Sequence, residues 1–315
     1  MSETGTVSKD TADAACRCPY CAMAALRRTH TGLYHGLNRN HGPFDFYECA
    51  SCGSGTTYPL PSAESLNALY ETYTNGLPAE NRAAMGTDDG EIWHATCVSR
   101  IAALGHLTAP LKSHFSWIDA GAGAGEMARR MASAFPNSSG LAVDRHTRPA
   151  DLPPSVAWLQ IDLNQPDFHE KIGRKADVVY ATAVWEHVSQ PDAFAHSMVE
   201  LLNTGGLLYL VCPNYASWAR KVLNTRWPYF TPGEHLSMPS PRGAEICLRR
   251  SFAAVKLTPA HVAARPMLLT YSLFYTANRL GLPFARLIPR ALRIPMPVGA
   301  LESFAIVASD PDTGR

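Results

Sequence analysis

From Phe115 onward, short apolar runs alternate with segments whose apolar residues recur at helical spacing, the pattern of strands feeding helices in a parallel sheet. The runs predict strands at about Phe115–Ala120, Gly140–Val143, Ala157–Gln160, Asp177–Ala181 and Gly206–Val211. Amphipathic spacing predicts helices at Glu126–Ala134, Asp192–Leu202 and Arg242–Arg249. Two more apolar runs, near Ala253–Leu257 and Ser303–Ala308, complete the expectation of an α/β fold with a doubly wound, mostly parallel seven-stranded sheet.

Upstream the pattern changes. Ala63–Tyr73 reads as a helix carrying Leu66, Leu69, Tyr70 and Tyr73 on one side. Thr74–Gly90 is polar and reads as a loop or lid. Glu91–Leu107 returns to helical spacing, with Gly105 and Pro110 as its stop. The segment from Cys16 to Pro61 is cysteine-rich and ends in the turn formers Gly53, Gly55, Pro59 and Pro61. The expected organisation is a polar tail (1–15), a cysteine module (16–61), a helical linker or lid (62–112) and an α/β domain (113–315) with a helical insertion at about 266–297.

Composition narrows the class. With 46% hydrophobic and 17% charged residues, 315 residues can bury a sizeable core. Lys plus Arg number 28 against 27 Asp plus Glu, a formal charge of +1, which speaks against a general nucleic-acid surface. The N-terminal stretch lacks the apolar segment of a signal peptide, and no run reaches the roughly 18 apolar residues of a membrane span, so a cytoplasmic protein is expected. The insertion carries Arg279, Arg286, Arg290 and Arg293 among apolar residues. That surface could meet a membrane or a lipid-linked acceptor, although a helix covering the sheet edge with solvated arginines is the plainer reading.

Four of the eight cysteines form two CxxC pairs, Cys18/Cys21 and Cys49/Cys52. Each such turn aims two thiolates at one point, and two turns make a tetrahedral cage that selects zinc, or iron in a rubredoxin-like site. Four protein ligands leave no open position, so the ion's role is structural. Tyr47 and Gly53 fit a zinc-ribbon knuckle. Cys16 is a spare neighbour of Cys18, while Cys97, Cys212 and Cys247 lie in apolar surroundings and are expected to be buried.

The most informative segment is Asp119-Ala120-Gly121-Ala122-Gly123-Ala124-Gly125-Glu126, a strand feeding a glycine turn that opens a helix. A dinucleotide fingerprint requires glycine where Glu126 stands. Asp119 and Glu126 make the turn less welcoming to a pyrophosphate and better suited to a zwitterion with an ammonium group. Asp144 ends the next strand, where a carboxylate can accept both hydroxyls of a ribose. Asp162 follows the third strand, where an acid can take an adenine amino group.

Together with Trp185-Glu186-His187-Val188 and Leu202-Asn203-Thr204-Gly205-Gly206, these motifs resemble the successive motifs of class I S-adenosylmethionine-dependent methyltransferases. The nearest branch is similar to ubiquinone-biosynthesis and to sugar or natural-product methyltransferases. The match runs from about Trp117 to Pro213. The resemblance implies that Gly121, Gly123 and Gly125 line the methionine moiety, Asp144 holds the ribose and Asp162 reads adenine, with Asp119 and Glu186 belonging to the same cofactor set.

Methyl transfer from a sulfonium is an in-line displacement, so the protein must align the nucleophile, exclude water and, for a hydroxyl, remove a proton. His187, just past the fourth strand, is one candidate base; its pair with Glu186 could equally only pin the loop. His235 in Trp227-Pro228-Tyr229-Phe230-Thr231-Pro232-Gly233-Glu234-His235 is the other, with Trp227 or Tyr229 as a stacking surface for the acceptor. The expected acceptor is a small molecule methylated on oxygen. Two other readings stay open: an RNA or protein methyltransferase that uses the ribbon for recognition, and a non-catalytic protein that only binds S-adenosylmethionine. The lack of an Asn/Asp-Pro-Pro-Tyr motif after the fourth strand, where Ala181–His187 stands instead, disfavours methylation of base or glutamine amino nitrogen.

Overall fold

The computed structural model describes residues 17–33, 42–74, 97–98, 100–108, 114–227, 229–250, 266–268, 295–297 and 303–309. The expected tail, Cys16, the lid beyond Thr74, the strand at Ala253–Leu257 and the arginine-bearing body of the insertion lie outside them.

The chain opens with β1 (Leu26–Leu33), β2 (Phe44–Cys49) and β3 (Gly55–Tyr58), then the helix Ala63–Thr74. Residues 100–108 are helical. The α/β domain follows: β4 (Ser116–Ala120), the helix Glu126–Ala134, β5 (Ser139–Asp144), β6 (Val156–Gln160), a short helix Phe168–Ile172 and β7 (Ala176–Thr182). A 3₁₀ turn (Trp185–His187), the helix Pro191–Glu200, β8 (Leu202–Pro213) and the helix Trp218–Leu223 come next. The two-residue β9 (Ser237–Met238) and the helix Pro241–Leu248 precede β10 (Pro266–Leu268), β11 (Pro295–Pro297) and β12 (Ser303–Ser309).

The main sheet has the order β12-β8-β7-β4-β5-β6. Its five strands β8 to β6 are parallel, and β12 closes the edge antiparallel to β8. Six strands of this sheet therefore fall among the described residues. The chain winds outward from β4 through β5 to β6, then crosses back to β7 and β8, which puts the topological switch between β4 and β7.

Side chains alternate across β4 as a strand requires. Ile118 and Ala120 join one buried cluster with Phe168, Phe194 and Met198 from the helices on that face. Trp117 joins the other, with Met127 and Met131 of the helix Glu126–Ala134 and Leu104 of the 100–108 helix. Both faces are covered, so the central strands carry buried apolar side chains on both sides, with Asp119 a buried exception in β4.

The cysteine module is not a separate bead. β1, β2 and β3 form an antiparallel sheet whose fourth strand, β9, comes from the α/β domain, pairing Gly55 with Met238 and Thr56 with Ser237. Cys18, Tyr20, Cys49 and Cys52 sit in the same buried cluster as the helix-covered face of the main sheet. Tyr20 packs edge-on against Trp185 at 5.5 Å, and its hydroxyl lies 2.8 Å from Ser237 Oγ. Ser240 caps the helix Pro241–Leu248 through Gly243 N–H and also donates to the Cys52 carbonyl, tying the knuckle to the helix start.

Candidate active site and cysteine cluster

The carboxyl ends of the parallel strands surround a crevice of about 230 Å³. Gly121 and Gly123 line it after β4, Asp144, Arg145 and His146 after β5, and Asp162, Leu163 and Asn164 after β6. Ala183, Val184, His187 and Val188 close it after β7. This is the switch point, where open α/β sheets take ligands.

The glycine turn is held by the neighbouring strand. Gly121 and Ala122 N–H both donate to the Val143 carbonyl, at 2.8 and 3.1 Å. Gly121 has φ +84°, and a Cβ there would come within 2.4 Å of Val184, so only glycine fits. Gly123 has φ +53° with nothing within 4 Å of the position of an added Cβ, space left open beside the crevice.

Asp144 is 7% exposed. Its Oδ2 accepts from Gly123 N–H at 2.7 Å, and its Oδ1 lies 3.0 Å from His146 N and 2.7 Å from His146 Nδ1. A carboxylate offers about four lone-pair sites, so acceptor capacity remains for a diol. Asp162 Oδ1 accepts from Asn164 N–H at 2.9 Å, and Asn164 Oδ1 accepts from Ser189 N–H at 2.8 Å, which fixes the loops after β6 and β7 to one another. Arg145 donates to Asn67 at 2.7 Å, bringing the helix Ala63–Thr74 to the rim.

Of the residues singled out in the sequence, Gly121, Gly123, Asp144, Asp162 and His187 meet at the crevice. Gly125 stands behind it as the left-handed cap of the helix Glu126–Ala134. Asp119 points to the opposite face of β4, where burial raises its carboxyl to about 8 despite the neighbouring Tyr180 hydroxyl and Arg100. Glu186 is 1% exposed and is not a lining residue. Glu126 is paired with Arg129 at 3.0 Å and Arg130 at 2.6 Å, so its charge is neutralised on the helix and the disfavour toward phosphate falls to Asp144 and Asp162.

Trp227 is fully buried with Phe46, Tyr215, Phe230 and Met238, which removes it as a stacking surface. Lining residues not singled out beforehand are Arg145, His146, Leu163, Asn164, Ala183 and Val184. They lie within a few residues of strand ends, and that position was the available signal.

Residues 93–251, half of the chain, match the family described as Methyltransferase domain. The chain belongs to that family. No curated protein matches the chain. Among solved structures, this chain is similar to an O-methyltransferase family protein from Burkholderia thailandensis, at 17% identity over 58% of this chain and 59% of the other, with a TM-score of 0.42. It is similar to Haemonchus contortus phosphoethanolamine N-methyltransferase 2, solved with phosphomonomethylethanolamine and S-adenosylhomocysteine, at 13% identity over 67% and 52% of the two chains, with a TM-score of 0.43. Coclaurine N-methyltransferase, bound to N-methylheliamine and S-adenosylhomocysteine, aligns at 14% identity over 67% and 72%, with a TM-score of 0.42. The chain thus spans between half and three fifths of the length of the first two of these proteins.

On the β7 side, His187 and His235 pack edge-on with ring centroids 4.7 Å apart. His187 forms part of the crevice wall, and burial and the neighbouring His235 push its imidazole down to about 3. His235 is 8% exposed, stands behind it and stacks on Tyr229 at 6.3 Å. The four module cysteines converge: Cys18 and Cys52 Sγ are 3.6 Å apart, Cys21 and Cys49 Sγ 3.5 Å, and all four lie within 4.8 Å of one another. A tetrahedral ion with metal–sulfur bonds of about 2.3 Å sets edges of about 3.8 Å, which these spacings approach. Cys97, Cys212 and Cys247 are buried singly, at 0–2% exposure.

Proposed function

We propose that this methyltransferase moves a methyl group from S-adenosylmethionine to an oxygen of a small-molecule acceptor, in the crevice at the carboxyl ends of β4 to β7. The observation that carries this reading is the junction of Gly123 with Asp144: a glycine turn open to a ligand, bonded to a buried carboxylate with acceptor capacity to spare. That donor set suits a nucleoside with a diol better than a pyrophosphate, because Asp144 and Asp162 would repel the latter. In this reading Asp144 holds the ribose, Asp162 takes the adenine amino group, Leu163 supplies an apolar face and the Gly121–Gly123 backbone admits the methionine end.

Bound there, the donor supplies a sulfonium methyl that needs only alignment with a nucleophile. The chain's own contribution is the closed wall: Val184 packed against Gly121, Val188, and His187 facing the acceptor with His235 behind it. At about 3, the His187 imidazole is neutral through the working pH range but a weak proton acceptor by itself. Near-neutral net charge favours a small acceptor over nucleic acid.

The cysteine cluster is read as a structural zinc site held by Cys18, Cys21, Cys49 and Cys52, with iron as the alternative ion. Its place in the shared core supports a role in fixing β9 and the Trp185–His187 turn against the main sheet.

The test is formation of S-adenosylhomocysteine from S-adenosylmethionine with a panel of hydroxylated acceptors, sugars and phenols foremost. Acceptor-dependent product is expected. Donor binding without turnover on any acceptor class would favour a non-catalytic binding protein.

A further inference from the structure

Glu186, His187 and His235 bring one carboxylate oxygen and two ring nitrogens within 4.8 Å of one another. They come from two separate segments. Glu186 and His187 sit on the 3₁₀ turn after β7, and His235 sits on the turn before β9, clamped to the first by Leu236 N–H donating to the Glu186 carbonyl at 2.8 Å.

The histidines are oriented from behind. His187 Nδ1 lies 3.2 Å from the Glu234 carbonyl, and His235 Nδ1 lies 2.6 Å from the Tyr229 carbonyl. A carbonyl can only accept, so each Nδ1 carries the proton and each lone pair resides on Nε2. That tautomer, fixed by a main-chain acceptor, is the one metal-binding histidines use. An independent observation concerns the carboxylate. Glu186 is 1% exposed, and its Oε2 has no hydrogen-bond partner among the described residues. A buried acceptor left unfilled is costly, and a cation between it and two imidazoles would fill it.

We propose that Glu186, His187 and His235 form a binding site for a divalent first-row transition metal ion, separate from the cysteine cluster. Two imidazoles and one carboxylate select ions such as Mn²⁺, Fe²⁺ or Co²⁺ over the oxygen-seeking Mg²⁺ and Ca²⁺, and they leave coordination positions open. Because His187 lies in the crevice wall, those positions face the acceptor; this part rests on the methyl-transfer reading above. A hydroxyl oxygen bound to the ion loses its proton to water more readily. The oxygen then forms the new bond to the methyl carbon as the carbon–sulfur bond breaks, its electron pair going to sulfur to give the neutral thioether. The histidines act as ligands, and the weakness of His187 as a base no longer matters.

The test is titration of the full-length, zinc-loaded protein with Co²⁺, followed by visible absorption and calorimetry. The expected result is one further equivalent of Co²⁺ with ligand-field bands but without the thiolate charge-transfer band of a cysteine site. Glu186→Gln, which keeps shape, and His235→Ala should each weaken that binding at least ten-fold. No further equivalent in the unaltered protein, or unchanged affinity in both variants, overturns the site. Calorimetry of S-adenosylhomocysteine with the unaltered protein decides the donor reading separately: Co²⁺ binding without nucleoside binding would keep the ion site and remove its link to methyl transfer.

Discussion

Asp144 Oδ2 accepts a hydrogen bond from Gly123 N–H at 2.7 Å, joining the end of β5 to the glycine turn that ends β4. The bond shapes the floor of the crevice and leaves a carboxylate aimed at it. Removing the carboxylate takes away both the brace and the acceptor. Asp144→Ala is expected to weaken S-adenosylhomocysteine binding by about 10- to 100-fold, since hydrogen bonds to charged groups contribute roughly 1.5–3 kcal/mol. Calorimetry checks this.

The two front glycines should fail differently. Gly121→Ala drives a methyl into Val184 at 2.4 Å and strains a φ of +84°, so it should lose about 1–3 kcal/mol of stability in urea unfolding. Adding Val184→Ala should recover part of that loss. Gly123→Ala meets nothing within 4 Å, so its larger effect should fall on nucleoside affinity. Equal effects of both changes on both measurements would contradict the assignment of that open space to the ligand.

Cys49 shares the buried cluster that covers one face of the main sheet. Cys49→Ser should release the ion held by the thiolates and lower the melting temperature of the whole chain in a single transition. Elemental analysis should find about one equivalent of thiolate-bound zinc or iron in the unaltered protein. A variant that melts like the parent would show that the module does not brace the α/β domain.

Asp119 should give stability a pH dependence. Burial raises its carboxyl to about 8 in the folded chain, against an ordinary value of 3.8. Between those values the folded state holds a proton that the unfolded chain has lost, so this group's contribution to stability declines as pH rises, by at most about 1.4 kcal/mol per unit. Asp119→Asn removes that decline, so it should gain stability relative to the parent at pH 8 compared with pH 5. Chemical denaturation at the two pH values measures it.

The helix Glu126–Ala134 and the strands bearing Asp119 and Asp144 were legible because long periodic runs and glycine punctuation act locally. Other features depend on contacts distant in sequence. β8 begins at Leu202, yet Asn203–Gly206 stays outside its register with β7, which jumps from Ala176 opposite Leu202 to Val178 opposite Leu207, with Gly205 at φ +75°; only the pairing with a distant strand shows where the continuous part of β8 starts. The helix Phe168–Ile172, five residues long, is too short for a periodic signal and is held by burial of Phe168 and Ile172. β9 has two residues and no pattern, so nothing local marks Ser237–Met238 as the strand that fuses the cysteine module to the α/β domain. At the site, carboxylates and glycines stood out by type, whereas Val184 is recognisable as a wall residue only once β7 lies beside β4.

A crystal structure with S-adenosylhomocysteine tests the central claim most directly. The nucleoside is expected between the Gly121–Gly123 turn and Val188, its ribose hydroxyls on Asp144 and its adenine toward Asp162. Nucleoside density elsewhere on the chain, with this crevice empty, would contradict the account.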